Sequence, residues 1–180
     1  MLRRTIRTSV LELVQDNIVK QDTDAIVNAA NTKLAPGGGV SGAIHRAAGP
    51  GLWQEVKKLG GCRTGQAKLS SGHNLKARYV VHTVGPVYGT SPQDPDLLRD
   101  CYEHSLEVAV ENDIRSISFP SISTGIFGYP IKEASRIALS AVIDYLRQHD
   151  SPKLVRFVLF TRQDLAIYTE TILELAKQQQ

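Results

Sequence analysis

Residues 24–48 read DAIVNAANTKLAPGGGVSGAIHRAA and join the end of a short strand to the start of a helix. The strand is predicted at residues 24–28, and the apolar spacing from Val40 or Ser41 to Leu52 predicts the helix. The three consecutive glycines at residues 37–39 let the backbone approach a ligand closely and adopt positive φ. The helix after them points free N–H groups and the positive end of its dipole at the loop. The segment therefore predicts a site for an anion such as phosphate.

A run of glycines also fits a flexible surface loop, and the two asparagines upstream favour a binding site instead. Asn28 and Asn31 carry amides that both donate and accept hydrogen bonds, which suits the hydroxyls of a ribose. The segment lacks the Gly-Lys-Ser/Thr ending of a P-loop and the glycine spacing of a dinucleotide-binding fingerprint. The pattern therefore indicates recognition of phosphate and sugar by a loop outside those two motifs.

Strand and helix patterns alternate along the rest of the chain. Strands are predicted at residues 6–14, 66–69, 78–84, 116–119 and 154–160, and helices at residues 95–111, 131–147 and 164–177. This alternation predicts one α/β domain over residues 1–180, built as a three-layer α/β/α sandwich. Ligands of such sheets bind beyond the carboxyl ends of the strands, and the glycine-rich segment falls at such a place.

A second loop of the same kind follows the strand that ends at Phe119. Residues 120–130 read PSISTGIFGYP, and the next helix begins at about Ile131. Small hydroxyl residues and two glycines offer hydrogen-bond donors, and Phe127 between the glycines is placed to cover a sugar. The alternative is an ordinary turn with Phe127 packed inward. Two such loops in one small domain favour an arrangement on the two sides of a single diphosphate.

The composition argues against several other classes of protein. The chain of 180 residues is 42% hydrophobic and 22% charged, which fits a globular domain, and it has no apolar run of membrane-spanning length. Cys62 and Cys101 lack metal-ligand spacing and the five histidines form no His-x-x-x-His pair, so no metal is expected. The net charge of +3 suits an anionic ligand, whereas nucleic acid is not expected without a lysine or arginine block. Reduced thiols and the absence of a secretory signal predict a cytoplasmic protein.

The two loops resemble the signature loops of the macro domain family. Residues 28–48 are similar to the first loop in order and spacing, and residues 119–130 are similar to the second. Residues 64–67 and 82–86 also resemble the MacroD-type branch of the family, and the resemblance spans nearly the whole chain. It implies a mixed six-stranded sheet between helices, with ADP-ribose in a cleft at the strand ends and no metal or redox cofactor.

The resemblance also implies contacts to ADP-ribose, residue by residue. Asn17 takes the place of an acidic residue that contacts the adenine amino group, with Ile18 beside it and Asp16 one position early. Because an amide carries no charge, weaker adenine selectivity is expected. Asn31 corresponds to the asparagine that holds the distal ribose. Phe160 corresponds to an aromatic residue that stacks on adenine; alternatively, Phe160 packs in the core. The two diphosphate loops correspond to Gly37, Gly38, Gly39 and Val40, and to Ser123, Thr124, Gly125, Ile126 and Phe127.

One departure from the MacroD-type pattern concerns catalysis. Those hydrolases carry an aspartate directly after Gly-Gly-Gly-Val, where it is thought to orient or activate water, and this chain has Ser41. A serine hydroxyl is too weakly basic to replace the aspartate, although viral macro domains with a small residue there are hydrolases. His45 shares a helix face with Ser41 and is a candidate base or water holder; alternatively it packs beneath the loop and bonds to backbone. The candidate catalytic residues are Asn31, Ser41 and His45.

The resemblance leaves competing functions open. The first is hydrolysis of an ester on the distal ribose, in mono-ADP-ribosylated acidic side chains or in O-acetyl-ADP-ribose. The second is a reader that binds ADP-ribose and cleaves nothing, which Ser41 favours. Hydrolysis of ADP-ribose 1″-phosphate is a third reading, and binding of poly(ADP-ribose) or nucleic acid is a fourth. The chain is expected to be a monomer without membrane contact. Its expected partners are ADP-ribose and ADP-ribosylated proteins.

Overall fold

A mixed sheet of seven strands forms the centre of the computed structural model, which describes residues 1–179. The strands are β1 (Leu2–Ile6), β2 (Ser9–Gln15), β3 (Ala25–Ala29), β4 (Ala67–Ser71), β5 (Tyr79–Thr83), β6 (Ser116–Phe119) and β7 (Leu154–Leu159). They lie in the order β1-β2-β7-β6-β3-β5-β4. The outer pairs β1–β2 and β4–β5 are antiparallel, and the inner pairs are parallel. Since β3 lies between β6 and β5, the loops after these three strands leave the sheet side by side.

Helices cover both faces of the sheet. They are α1 (Gly39–Ala48), α2 (Pro50–Val56), α3 (Asp94–Glu111), α4 (Ile131–Gln148) and α5 (Arg162–Lys177), with 3-10 turns at Ile18–Lys20 and Lys57–Leu59. Successive side chains of β3 point to opposite faces, so Ile26 belongs to the same core cluster as Ile44 of α1, and Val27 to the same cluster as Leu106 of α3. This is the three-layer α/β/α arrangement that the alternating pattern predicts. In residues 1–179, no helix combines the length and the apolar character that crossing a membrane requires.

The sheet has seven strands rather than the expected six, and the prediction of one strand over residues 6–14 is wrong. β1 and β2 form a hairpin in which Ile6 pairs with Ser9. Arg7 lies in the turn with a φ of 54°, a left-handed conformation that glycine or asparagine usually adopts. Because the turn contains neither of those residues, no local signal separates the two strands.

The first helix is shorter than its apolar spacing predicts. α1 ends at Ala48 and α2 begins at Pro50, so the predicted continuation to Leu52 is wrong. Gly49 between them has a φ of 84°, which interrupts the helix. Pro50 occupies the start of α2, where the N–H that proline lacks would have no intrahelical partner. The side chain of Leu52 remains in the same core as Ile44 despite the break, which explains the continuous apolar pattern.

Candidate functional site

A cavity of about 250 Å³ opens beyond the carboxyl ends of the strands. One wall consists of Asn31 and residues 37–41, which follow β3. The opposite wall consists of residues 121–123 and 125–127, which follow β6. The two loops that the sequence predicts as two sides of a diphosphate site therefore face each other across one cavity.

The first wall is the N-terminus of α1. Gly38 is its N-cap, and no side chain of the described residues caps the N–H groups of the first turn. These N–H groups are consequently available to a ligand. That turn, which is described in full, contains no acidic residue to oppose the positive end of the helix dipole. The wall therefore suits an anion such as a phosphate group.

The glycines of this wall meet different requirements. Gly39 has a φ of 53°, in the left-handed region that favours glycine. Gly38 has a φ of −89°, which any residue adopts, and a Cβ built there has no atom of residues 1–179 within 4 Å. Since Gly38 lines the cavity, a side chain at this position would project into it. The backbone conformation itself does not require glycine at residue 38.

The second wall holds an unusual backbone conformation. Ser123 has a φ of 66°, which is uncommon for a residue other than glycine and persists where the surroundings support it. Its carbonyl accepts the N–H of Tyr129 at 2.8 Å. The N–H of Ile122 donates to the hydroxyl of buried Tyr102 at 3.1 Å. Thr124 is not among the residues that line the cavity, and its hydroxyl donates to a carbonyl of the same loop at 3.1 Å. These contacts determine the shape of the loop around the cavity.

Gly85, which follows β5, lines the cavity but was not assigned from the sequence. A Cβ on Gly85 would lie 2.1 Å from Oγ of Ser123 and 2.7 Å from Cγ2 of Ile122, so only glycine fits. A signal was available, since Gly85 stands in the segment 82–86 that resembles the MacroD-type branch. The cavity also contains residues that lie in the two loops singled out by the sequence but were not named individually as binding residues: Ala29, Ala30, Ser121 and Ile122.

Asn31 both shapes the first loop and faces the cavity. Its Nδ2 donates to the carbonyl of Ala35 at 2.9 Å, and its Oδ1 accepts the N–H groups of Lys33 at 3.2 Å and Ala35 at 3.0 Å. A side-chain amide has two N–H donors, so one remains for a ligand. Asn31 can therefore donate to a sugar hydroxyl while its other atoms hold the loop.

Buried polar atoms without hydrogen-bond partners gather at this end of the sheet. Within residues 1–179 five such side-chain atoms occur, and four of them lie in or next to the first and second walls: Asn28 Oδ1, Ser41 Oγ, His45 Nε2 and Ser123 Oγ. Leaving such an atom unpaired costs about 1–3 kcal/mol, and in native proteins it commonly has a functional reason. Ser41 and Ser123 line the cavity, whereas their Oγ atoms are shielded from solvent, so only a closely packed group such as a buried water can bond to them.

Two histidines lie beneath the first wall, and burial disfavours their charged forms. Burial lowers the pKa of His45, and burial together with the nearby His45 lowers the pKa of His82 to about 3. Nδ1 of His82 lies 3.1 Å from Nδ2 of Asn28, and its Nε2 lies 2.8 Å from Oγ of Ser70. His45 is buried and is not among the described residues that line the cavity. Its position fits packing beneath the loop, although its Nε2 has no partner in residues 1–179.

The residues expected at adenine follow β2 and β7, which are neighbouring parallel strands. The N–H of Asp16 donates to the carbonyl of Leu159 at 3.0 Å, so the segments that carry Asn17 and Phe160 leave the sheet together. The side chain of Phe160 is 76% exposed, and the alternative that it packs in the core is therefore wrong. An exposed aromatic ring is available for stacking on a base, although Phe160, Asn17 and Ile18 are not among the residues that line the cavity.

The polar side chains expected near adenine, those of Asn17 and Asp16, already make hydrogen bonds to neighbouring residues. Oδ1 of Asn17 accepts the N–H of Val19 at 3.2 Å. The carboxylate of Asp16 accepts the N–H of Asn17 at 2.7 Å and Nε2 of Gln21 at 3.0 Å. The hydrogen bond from the Asn17 N–H is the main cause of the lowered pKa of Asp16. Ile18 is buried in the core beside α1, so its backbone rather than its side chain faces any ligand.

Neither of the two cysteines lines the cavity. Cys62 and Cys101 are buried free thiols, and burial raises the pKa of both, that of Cys101 to about 12. Sγ of Cys101 donates to the carbonyl of Val84 at 3.2 Å. Across residues 1–179 no group of three or more His, Cys, Asp or Glu side chains is arranged to hold a metal ion.

Comparison with known sequences identifies relatives of the chain. The family model of the macro domain matches residues 27–138. The ADP-ribose glycohydrolase MACROD2 of Xenopus laevis is 47% identical over 175 residues, which cover 94% of this chain and 42% of that protein. The O-acetyl-ADP-ribose deacetylase of Cronobacter turicensis is 45% identical over 163 residues, which cover 88% of this chain and 93% of that protein.

Solved structures are similar over the same region. The Oceanobacillus iheyensis macrodomain with ADP has a TM-score of 0.96 and 42% identity, with 98% of this chain and 97% of that chain covered. The Trypanosoma brucei macrodomain in complex with ADP-ribose has a TM-score of 0.85 and 44% identity, with 90% of this chain and 68% of that chain covered. Sequence, fold and cavity agree, and the chain belongs to the macro domain family.

Proposed function

We propose that the chain binds ADP-ribose in this cavity and hydrolyses an ester on the distal ribose. The observation that carries the proposal is the pair of facing walls, the uncapped N-terminus of α1 and the positive-φ loop at Ser123. Both offer backbone N–H groups and unpartnered hydroxyls to a diphosphate from opposite sides. Two relatives whose names state related activities, ADP-ribose glycohydrolase and O-acetyl-ADP-ribose deacetylase, support it.

Each part of ADP-ribose has a counterpart in the site. The diphosphate lies between residues 37–40 and residues 123–127. The free N–H of Asn31 donates to a hydroxyl of the distal ribose, and Phe127 covers that sugar. The adenine stacks on Phe160, next to Asn17 and Ile18. The distal ribose, which carries the ester, then lies at the Asn31 end of the cavity.

The protein contributes to hydrolysis mainly by positioning. A water held against the hydroxyl of Ser41 attacks the carbonyl carbon of the ester, the bond between that carbon and the ribose oxygen breaks, and a proton from the water passes to the ribose oxygen. The products are a carboxylic acid and the free ribose hydroxyl. Ser41 is only 5% exposed and its Oγ has no partner in residues 1–179, so a buried water beside it would give this hydroxyl a hydrogen-bond partner. Since a hydroxyl is far too weak a base at neutral pH, Ser41 orients the water and does not take its proton. Fixing the ester and the water in attack geometry is the main source of acceleration.

A second candidate function is a reader that binds ADP-ribose without cleaving it. The observation that favours it is Ser41 itself, which stands where MacroD-type enzymes carry an aspartate. The same cavity and the same contacts to the diphosphate serve both functions. Only a measurement of ester hydrolysis distinguishes the hydrolase from the reader.

A single-turnover assay on a protein mono-ADP-ribosylated at acidic side chains, with free ADP-ribose as the readout, decides between the two. Ser41→Ala should lower the rate ~10-fold or less, because it removes one neutral hydrogen bond to the water and no proton-transfer group. Ser41→Asp should raise the rate, since general-base assistance contributes ~10²–10⁴-fold. Ser105→Ala is the matched control, because its buried Oγ is also unpartnered in residues 1–179 but lies outside the cavity. If wild type and Ser41→Asp both bind ADP-ribose and neither releases it, the chain is a reader.

His45 requires its own variant, since its position favours packing over action as a base. His45→Phe keeps the ring-sized volume and removes the nitrogen atoms. We expect it to change the free energy of unfolding and to leave the single-turnover rate largely intact. A loss of turnover with ADP-ribose affinity retained would instead identify His45 as catalytic.

A further inference from the structure

A second cavity, of about 340 Å³, adjoins the one described above and shares Asn31, Gly85 and Phe127 with it. We call it the side cavity, and it extends over Thr32, Thr64, Val87, Thr90, Ser91 and Leu97. Because Asn31 and Phe127 are the residues assigned to the distal ribose, the side cavity begins where the ester to be cleaved lies. Any group attached to the distal ribose through that ester must extend from this point.

Hydrogen bonds hold the loop that forms one wall of the side cavity. Asp94, only 3% exposed, accepts the N–H groups of Gly89 at 2.9 Å and Thr90 at 3.2 Å with one carboxylate oxygen. The loop between β5 and α3 is therefore folded around a buried carboxylate. The N–H of Tyr88 in this loop donates to the carbonyl of Phe127 at 2.9 Å, which joins it to the second wall of the ADP-ribose cavity.

The lining is mainly apolar and carries little charge. It combines apolar side chains such as Val87 and Leu97 with the hydroxyls of four residues, of which that of Thr90 already donates to the carbonyl of Val87 at 2.7 Å, and no Lys, Arg or His of residues 1–179 takes part. Its one acidic group, Asp94, is occupied by the loop N–H groups. Hydroxyls can bond to peptide groups, which both donate and accept, and the apolar side chains can pack against a neighbouring residue. A phosphate would find no cation here and would lie near a carboxylate.

The volume of the side cavity also favours a polypeptide over a small acyl group. A space of ~10–15 Å³ is enough for one water. An acetyl group, with three non-hydrogen atoms, would leave most of the side cavity filled with solvent. A short stretch of polypeptide would fill it and would use its hydroxyls and apolar side chains together.

We propose that the side cavity binds the polypeptide of the substrate, namely the residues that flank the ADP-ribosylated acidic side chain. The proposal rests on the proposed hydrolysis and names the substrate class of the same site. Because only a protein-linked ester carries such residues, this substrate is preferred over O-acetyl-ADP-ribose and over ADP-ribose 1″-phosphate.

Val87→Trp tests this proposal. Val87 lines the side cavity but not the ADP-ribose cavity, and it is 44% exposed, so a larger side chain is compatible with folding. We expect kcat/KM for a peptide ADP-ribosylated on glutamate to fall ~10-fold or more, as misfit in a pocket commonly produces. Turnover of O-acetyl-ADP-ribose and the affinity for free ADP-ribose should change far less. Val110→Trp, at an exposed position near the far end of α3, is the matched control and should leave all three measurements unchanged.

Thr64→Val is a second, gentler variant that removes one hydroxyl and keeps the side-chain volume. It should raise KM for the ADP-ribosylated peptide and leave kcat unchanged. Equal losses on peptide and O-acetyl-ADP-ribose in both variants would mean that the side cavity belongs to the ADP-ribose site. Unchanged peptide kinetics in Val87→Trp would mean that no polypeptide enters. Either result overturns the proposal.

Failure of the proposed hydrolysis can be recognised separately. If wild type cleaves no ester, calorimetry with a peptide that carries ADP-ribose through a non-cleavable link still tests the side cavity. Tighter binding of this peptide than of free ADP-ribose, with the difference lost in Val87→Trp, supports the proposal. Equal affinity of wild type for the two ligands, or tighter binding of ADP-ribose 1″-phosphate than of the peptide, overturns it.

Discussion

The two ends of the proposed ADP-ribose site differ in how their functional groups are buried and hydrogen-bonded. At the diphosphate end, the hydroxyls of Ser41 and Ser123 are buried and have no partner within residues 1–179. At the adenine end, the ring of Phe160 is exposed, and the side-chain oxygens of Asn17 and Asp16 already accept N–H groups of neighbouring residues. One end presents buried groups that lack partners, and the other presents groups that are solvated or already bonded.

This difference determines where binding energy and selectivity arise. A buried polar atom has already lost its water, so a ligand that bonds to it removes a penalty. An exposed group exchanges a hydrogen bond to water for one to the ligand, and the net gain is small. We therefore expect the diphosphate and the distal ribose to decide which ligand binds. Adenine adds affinity through stacking more than through hydrogen bonds.

The largest effect is expected at the distal ribose. Asn31→Ala should lower the single-turnover rate ~10²–10³-fold, as loss of one preorganised donor does in other enzymes. The reason is that the ester is no longer held in attack geometry, and the loop also loses the bonds to Ala35. Asn112→Ala, which removes a remote amide bonded to Val108, is the control and should have no effect on the rate. Normal turnover in Asn31→Ala would remove Asn31 from the mechanism.

The next effect is expected at the diphosphate. Gly38→Val should fold, because its φ of −89° suits any residue, yet the new side chain enters the cavity. Overpacking of about 1–3 kcal/mol corresponds to affinity for ADP-ribose that is ~5–150-fold weaker by calorimetry. Gly38→Ala should give a smaller loss, and the melting temperatures of both should remain close to that of wild type. Undiminished affinity in a folded Gly38→Val protein would show that this loop does not hold the diphosphate.

A smaller effect is expected at the adenine ring. Phe160→Ala should cost ~1–3 kcal/mol of ADP-ribose binding, the range for stacking of a base on an aromatic side chain. Because Phe160 is 76% exposed, the free energy of unfolding measured in urea should hardly change. Phe160→Trp should keep the affinity near that of wild type. A variant that loses stability and not affinity would contradict the stacking role.

The smallest effect is expected at the adenine amino group. Asn17→Asp should strengthen ADP-ribose binding by ~1 kcal/mol or less, since an ionised acceptor makes a stronger hydrogen bond than an amide. The gain is limited because Oδ1 of Asn17 also accepts the N–H of Val19, and aspartate is an equally good helix cap. Titration of wild type and variant with ADP-ribose measures the difference. Unchanged or weaker binding would indicate that Asp16 already serves the adenine amino group.

Features that depend on short stretches of chain could be predicted from the sequence. β6 was predicted at residues 116–119 and occupies Ser116–Phe119. The two loops were predicted as one diphosphate site, and they form opposite walls of one cavity. Periodicity, a run of glycines and the position of a loop after a strand are local properties, so they can be recognised without knowing which segments meet. For the same reason the hairpin turn at Arg7, which no glycine or asparagine marks, was missed.

The sequence by itself determined the three-layer architecture, the two loops and the family resemblance, because all three are carried by local patterns. Only the tertiary structure decided that Gly85 lies against Ser123, that His45 is buried while Phe160 is exposed, and that a side cavity opens beside Asn31. Each of these depends on segments that are far apart in the chain. A side chain's burial and its partners are set by whatever packs against it, and residues adjacent in sequence carry no information about that neighbour.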